Sequence, residues 1–247
     1  MRKFALACLG AVVALAVPTA AMAQTQHNTY SVTASVTPKK KGSKAKPVPA
    51  TVKFGVKVDE ANGLQPSAVK RYTIGFGGLK TNGKYFKTCK ASQMHGTDKT
   101  CNTKALVGTG TITNYVYTDN DPSGQNGGFL CQKTLHVWNA GHNRAVLFVG
   151  GDPAKCGGVG NLAPIPAKFV KHGSNGQALR FDVPKTVLHP IPGLTVAVRD
   201  VTSTIKKQTV TVKGKKRGFF ESVSKGHPVN VTFLTEAGQT AKTSTKA

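Results

Sequence analysis

The stretch FLCQKTLHVWNAGHNRAVLFV, residues 129–149, decides the fold. Phe129 to Trp138 alternates in character, and Arg144 to Val149 is rich in branched and aromatic residues. Between them lies Ala140-Gly141-His142-Asn143, a cluster of turn formers. Two strand-like runs around a short turn read as a β-hairpin. The same reading extends outward. Ala167 to Lys171 and Ala178 to Val183 flank Gly173-Ser174-Asn175-Gly176, a second hairpin. Upstream, Val107 to Thr118 is rich in Thr, Ile, Val and Tyr, and Val52, Phe54, Val56 and Val58 repeat with a period of two. Tyr30, Val32, Ala34 and Val36 do the same. Downstream, Leu194 to Ile205 is a long alternating run and Val229 to Thr235 the last. Side chains of a strand point alternately to its two faces, so this period marks half-buried strands. Helical periodicity is confined to the N-terminus, apart from single turns near Pro66-Ser67-Ala68 or Ala91-Ser92-Gln93.

About ten short strands with frequent Gly, Pro and Asn turns predict an all-β protein. The expected architecture is one large antiparallel β-sandwich, with jelly-roll and Ig-like order both open. The domain is expected over residues 24–236. A Pro/Lys-rich loop at 38–50 interrupts it, and 237–247 reads as a frayed tail without apolar pattern.

Residues 1–23 carry a separate message. Arg2 and Lys3 precede the apolar run Phe4 to Val17, and Ala21-Met22-Ala23 places small residues at a cleavage site. This is the pattern of a secretory signal peptide. The apolar run is shorter than the roughly 20 residues of a spanning helix, and no other such run follows. The expected product is secreted, extracellular or bound to the cell envelope, and monomeric. Cys8 leaves with the signal. Cys89, Cys101, Cys131 and Cys156 remain, an even number in an exported chain, which reads as two disulfides. Three pairings exist. The preferred one is Cys89–Cys101 with Cys131–Cys156, because each closes a local loop rich in turn residues. The absence of any CxxC argues against a thiolate zinc site.

Charge is the strongest compositional signal. The chain has 34 Lys+Arg against 10 Asp+Glu, a formal net charge of +24, yet only 18% of its residues are charged. Basicity therefore owes as much to missing acids as to added Lys. Two segments concentrate it. One holds Lys39, Lys40 and Lys41 and runs on to Lys46. The other holds Lys206 and Lys207, then Lys213, Lys215, Lys216 and Arg217, with Phe219-Phe220 behind. Lysine-rich surfaces attract polyanions through salt-dependent electrostatics. Since Lys outnumbers Arg and no nucleic-acid module is visible, no specific nucleic acid is expected, and anionic cell-wall or extracellular polymers are the expected partners.

Catalytic motifs are missing: no HExxH, no GxSxG, no Walker loop. Ser222-Val223-Ser224-Lys225 and Ser43-Lys44-Ala45-Lys46 fit SxxK without its companion motifs. Glycosidases need two carboxylates across the scissile bond, and the acids here are few. Glu221 and Asp182 alone sit in apolar surroundings, where an ion pair with one of the many Lys is the expected role. His136 and His142 straddle a turn, but two imidazoles fall short of a metal site. No cofactor is expected, with one candidate exception. Asp119-Asn120-Asp121-Pro122-Ser123-Gly124 matches the first half of a calcium loop, with Asp119, Asp121 and Ser123 as oxygen ligands, but Leu130 stands where Glu is required. The reading is a non-enzymatic binding protein. Its rivals are a secreted carbohydrate hydrolase and a carbohydrate-binding module with Trp138, Tyr115 and Tyr117 as stacking platforms.

Several segments carry a resemblance. Pro47-Val48-Pro49 to Phe54-Gly55, Tyr85-Phe86-Lys87-Thr88-Cys89-Lys90-Ala91-Ser92 and Leu106-Val107-Gly108-Thr109-Gly110 are similar to a group of uncharacterised secreted bacterial proteins. Val201 to Ile205, Gly218 to Val223 and Val229 to Phe233 continue it, so it covers most of the chain after residue 23. The resemblance implies a strand-rich domain behind a signal peptide and supplies no catalytic residue. Members often carry a Cys after the Glu-Ser-Val segment, where this chain has Ser224-Lys225.

Overall fold

The computed structural model describes residues 26–39, 42–125 and 127–247. The expected signal peptide and Lys40 and Lys41 lie outside these residues. The chain opens with β1 (Asn28–Thr37), β2 (Val48–Pro49), β3 (Thr51–Glu60), β4 (Val69–Phe76) and β5 (Leu79–Thr81). After an excursion with three 3-10 turns come β6 (Leu106–Thr118), β7 (Phe129–Gly141) and β8 (Arg144–Gly150). Then follow β9 (Ile165–His172), β10 (Gly176–Asp182), the single-turn helix α1 (Lys185–Leu188) and β11 (Leu194–Ile205). The last strands are β12 (Thr209–Val212), β13 (Lys215–Gly218), β14 (Phe220–Ser222), β15 (Pro228–Thr235) and β16 (Thr240–Lys246). The all-β expectation holds, and both predicted hairpins are present as β7–β8 and β9–β10. The first turn is tighter than expected, because Gly141 pairs with Arg144 and leaves His142-Asn143 as its tip.

Eleven strands form one sheet in the order β1-β3-β11-β6-β7-β8-β9-β10-β4-β15-β16. Every neighbouring pair is antiparallel. The sheet folds back on itself until its edge strands β1 and β16 approach each other. Tyr30 of β1 stacks on Phe233 of β15, with ring centroids 4.0 Å apart. The alternating apolar positions thus face a shared interior, which holds one large apolar cluster. A β-bulge between Val198 and Asp200 shifts the register of β11 against β6. It keeps Val196 and Val198 on one side of it, and Val201, Ser203 and Ile205 on the other, directed inward. Gly110 of β6 marks a close strand crossing, since a Cβ there would lie 1.9 Å from the Thr202 carbonyl oxygen.

A small sheet in the order β2-β14-β5 closes one end of this barrel-like body. Phe220 of β14 packs edge-on against Phe76, Phe169 and Phe219. The backbone amides of Ala50 and Asn82 donate to the Phe220 and Phe219 carbonyls, which anchors this plug to the neighbouring segments. At the opposite end, α1 presents buried Val187 and Leu188 to the interior.

Both expected disulfides, Cys89–Cys101 and Cys131–Cys156, are formed. They accord with an oxidising environment. Residues 89–105 fold over the outer face of β7, where Cys89, Met94 and Cys101 enclose Trp138 in a second apolar cluster. One expectation is corrected. Residues 237–247 are not a frayed tail, because β16 pairs with β15 from Lys246 opposite Pro228 to Thr240 opposite Leu234. The polar alternation of Thr and Lys suits an outer strand as well as a loose end. Here the open backbone groups of β15 decide between them. Among the described residues, no helix is long and apolar enough to cross a membrane.

Candidate functional site

The strand registers give the body two ends of different character. At the plugged end lie the excursion from residue 82 to 105, the turns of both hairpins and the segment between β11 and β15. Most acids sit towards the other end. Asp59 and Glu60 close β3, Asp119 and Asp121 follow β6, Asp182 closes β10 and Glu236 follows β15.

Three adjoining depressions at the plugged end make a basic cleft. The central one, about 210 Å³, is lined by Lys80, Lys84, Tyr85, His142, Asn143 and Arg217, among others. It shares Lys84 and Tyr85 with a second of about 550 Å³, which adds Lys87 and Lys104. It shares Lys80, Asn143 and Gln177 with a third of about 450 Å³, which adds Lys44 and Lys171. No carboxylate lines any of the three. The Ser174 hydroxyl and the Asn175 side-chain amide sit among the cations. The Lys84 ammonium lies 4.9 Å from the centre of the Tyr85 ring. That arrangement offers cations and neutral donors to an anionic chain.

The cleft is held by side-chain hydrogen bonds, most of them to backbone groups. Asn139 Nδ2 donates to the carbonyls of Gly83, at 2.9 Å, and Lys87, at 2.8 Å, and so fixes the turn that carries Lys84 and Tyr85. Gly83 is required there, since a Cβ would fall 2.5 Å from both Asn139 Oδ1 and the Gly141 carbonyl oxygen. Asn82 Nδ2 donates to the Gly218 carbonyl at 2.9 Å. Gln177 Oε1 accepts from both the amide and the hydroxyl of Thr81. Glu221 is 1% exposed, accepts from the Gly218 amide at 3.1 Å and lies 3.5 Å from the Arg217 guanidinium. Asp182 pairs with Arg71. Both acids form ion pairs, with Arg where Lys was expected, and Asp182 lies exposed rather than in an apolar setting.

Of the two basic segments singled out from the sequence, Arg217 and Lys44 line the cleft among the described residues. Lys206 and Lys207 are exposed just before Gln208, which lines the second depression. Lys215 and Lys216 are exposed on the separate β12–β13 hairpin. Its tip, Lys213-Gly214, has both residues at positive φ (49° and 71°), the I′ geometry of tight hairpins. Lys39 is exposed at the end of β1. The sequence reading missed Lys80, Lys84, Lys87, Lys104 and Lys171. A signal existed: residues 79–105 hold six Lys and one acid, Asp98.

The other sites noted in the sequence find local roles. Asp119 accepts from Thr195 Oγ1 and lies 3.7 Å from His189, while Asp121 accepts from Ser123. The calcium-loop oxygens are thus engaged within their own surroundings. Among the described residues, no group of three or more His, Cys, Asp or Glu side chains is placed to hold a metal ion. His136 contacts Asp98 at 2.5 Å instead of meeting His142. Trp138 is 3% exposed and donates its indole N–H to Asp98 at 3.0 Å. Tyr117 is buried as well, and its hydroxyl donates to the Pro66 carbonyl. Neither ring is open to stack on a sugar. Asp119 and Glu236 flank His189, whose Nε2 is 2.8 Å from Glu236. The imidazole fills the space between these carboxylates, where a glycosidase would place its substrate. Ser222 Oγ lies 3.2 Å from His227 Nε2, a pairing that resembles a nucleophile and its base. Ser222 is wholly buried and also donates to the Ser224 carbonyl, so no substrate reaches it. Compared with protein-family models, with curated proteins and with solved structures, the chain has no match, and its site is read from its own geometry.

Proposed function

We propose that the protein is an exported, non-enzymatic binding protein that holds a linear polyanion of the cell envelope or extracellular space in the basic cleft. The observation that carries this reading is the convergence of Lys44, Lys80, Lys84, Lys87, Lys104, Lys171 and Arg217 on one continuous cleft without a lining carboxylate. These residues come from separate segments of the chain, so the fold assembles what the sequence scatters. A fixed row of cations over a low-dielectric surface concentrates an anionic chain beside it. Tyr85 adds a flat apolar face between cations, suited to the backbone of an anionic polymer.

Binding of polyphosphate and of heparin, measured across a salt series, tests the proposal. The logarithm of affinity should fall linearly with the logarithm of salt. Replacing Lys80 and Lys84 by Gln should lower that slope by about one for each contacting lysine, as counterion release requires. Binding that ignores salt, or no binding to either polymer at low salt, would sink the reading.

A further inference from the structure

The inner walls of the barrel do not meet everywhere. Between the plug and α1 lies a cavity of about 120 Å³. Its lining is almost wholly apolar, with Phe54 and Phe76 towards the plug and Val187 and Leu188 of α1 at the other end. A sheet of eight strands closes around just enough space for its own side chains, and eleven strands leave more. Shape alone would explain a dry void.

Two polar side chains break that explanation. Tyr72 of β4 and Asn114 of β6 both border the cavity, and they come from strands far apart in the sheet order. They are 5% and 3% exposed. Neither Tyr72 Oη nor Asn114 Nδ2 has a hydrogen-bond partner. Buried polar groups are nearly always satisfied, and leaving one unsatisfied forfeits its hydration without return. Phe and Leu would fill the same positions without that loss. Burial also pushes the Tyr72 phenol well above its ordinary pKa, so it remains a protonated donor. Apolar walls with a few converging polar groups are the build of a small-molecule site.

We propose that this cavity binds an apolar molecule of about six to eight non-hydrogen atoms bearing one carbonyl or ether oxygen, which accepts a hydrogen bond from Asn114. The size follows from a known apolar cavity of ~150 Å³ that takes benzene. This site is separate from the basic cleft, and it stands whether or not a polyanion binds there.

Cyclohexanone and methylenecyclohexane are suitable probes, because they share a shape and differ in one oxygen. Titration of the full secreted protein, followed by NMR, should show the ketone binding about tenfold more tightly than the alkene, the effect of one added hydrogen bond. The ketone should shift the Asn114 side-chain amide resonance. Asn114→Leu removes the unpaired donor and should make the two probes equal. Val198→Phe fills the space and should abolish binding of both. Absence of ketone binding to the native protein, equal affinity for the two probes, or an unmoved Asn114 amide would overturn the proposal. These three readings need only the native protein, so they stand even if a variant fails to fold.

Discussion

Lys133 shows how a basic residue can do something other than add surface charge. It lies on β7 among Cys131, Leu135 and Val137, which share its inward parity along the strand. It is 2% exposed, and its ammonium donates to the carbonyls of Val159, at 2.6 Å, and Gly160, at 2.7 Å. Burial lowers its pKa below the ordinary lysine value of 10.5. A neutral amine keeps two N–H groups, which is what two carbonyls need. The linkage has a definite sign. Between the lowered folded pKa and 10.5, the unfolded chain binds more protons than the folded one, so this residue makes stability rise with pH. The strong net positive charge adds its own pH dependence, so the useful quantity is a difference. The gap in unfolding free energy between wild type and Lys133→Met should widen in favour of wild type as pH rises towards 10.5, by urea denaturation. A constant gap would show that Lys133 keeps its proton throughout. The residue's phase was legible, since 131, 133, 135 and 137 alternate with the polar positions. Its acceptors were not, because Val159 and Gly160 arrive from a loop 26 and 27 residues later.

Individual strands were more legible than the elements that cap them. Period-two alternation needs only local sequence, and it marked β1, β3, β7 and β11. The plug escaped notice because β2, β5 and β14 are two or three residues long and are too short to show any period. Their stability comes from tertiary contact, through Phe219 and Phe220. The helix α1 was missed for the same reason: one turn shows no helical repeat. The strand β16 was legible only as polar alternation, and its place follows from the partner it covers. Uncovered, β15 would present a row of free backbone groups next to Val229, Val231 and Phe233, a template for pairing with another chain. Deleting residues 240–247 should therefore have two effects. Each lost net interstrand hydrogen bond is worth about 1 kcal/mol, and each kcal/mol moves the melting temperature of a chain this size by about 2–4 °C. A drop of about 5 °C or more is expected by calorimetry. Size-exclusion chromatography should also show more self-association than the full chain shows. An unchanged melting temperature with a monomeric elution would mean that β16 is ornamental to the fold.

At the scale of the whole molecule, the number legible in the sequence was the net charge of +24. What it left open was placement. Net charge attracts any polyanion to any face, whereas a site requires cations gathered where acids are absent. The fold supplies that separation, because antiparallel strands return loops alternately to the two ends. Asp98 and Glu221 stay at the plugged end, but Asp98 is engaged with His136 and Trp138 and Glu221 with Arg217 and the Gly218 amide. Two triple variants of identical net charge separate a site from a bulk effect. One carries Lys80→Gln, Lys84→Gln and Lys171→Gln in the cleft. The other carries Lys70→Gln, Lys155→Gln and Lys185→Gln, none of which lines it. All six lysines are exposed or half-buried, so neither set should cost much stability. If the cleft is the site, the first variant should lose polyphosphate affinity by about tenfold or more at low salt, the ~1.4 kcal/mol that three lost contacts should exceed, with a reduced salt slope. The second should stay close to wild type. Equal losses in the two would assign the attraction to overall charge, and the cleft would then be a surface feature without a partner of its own.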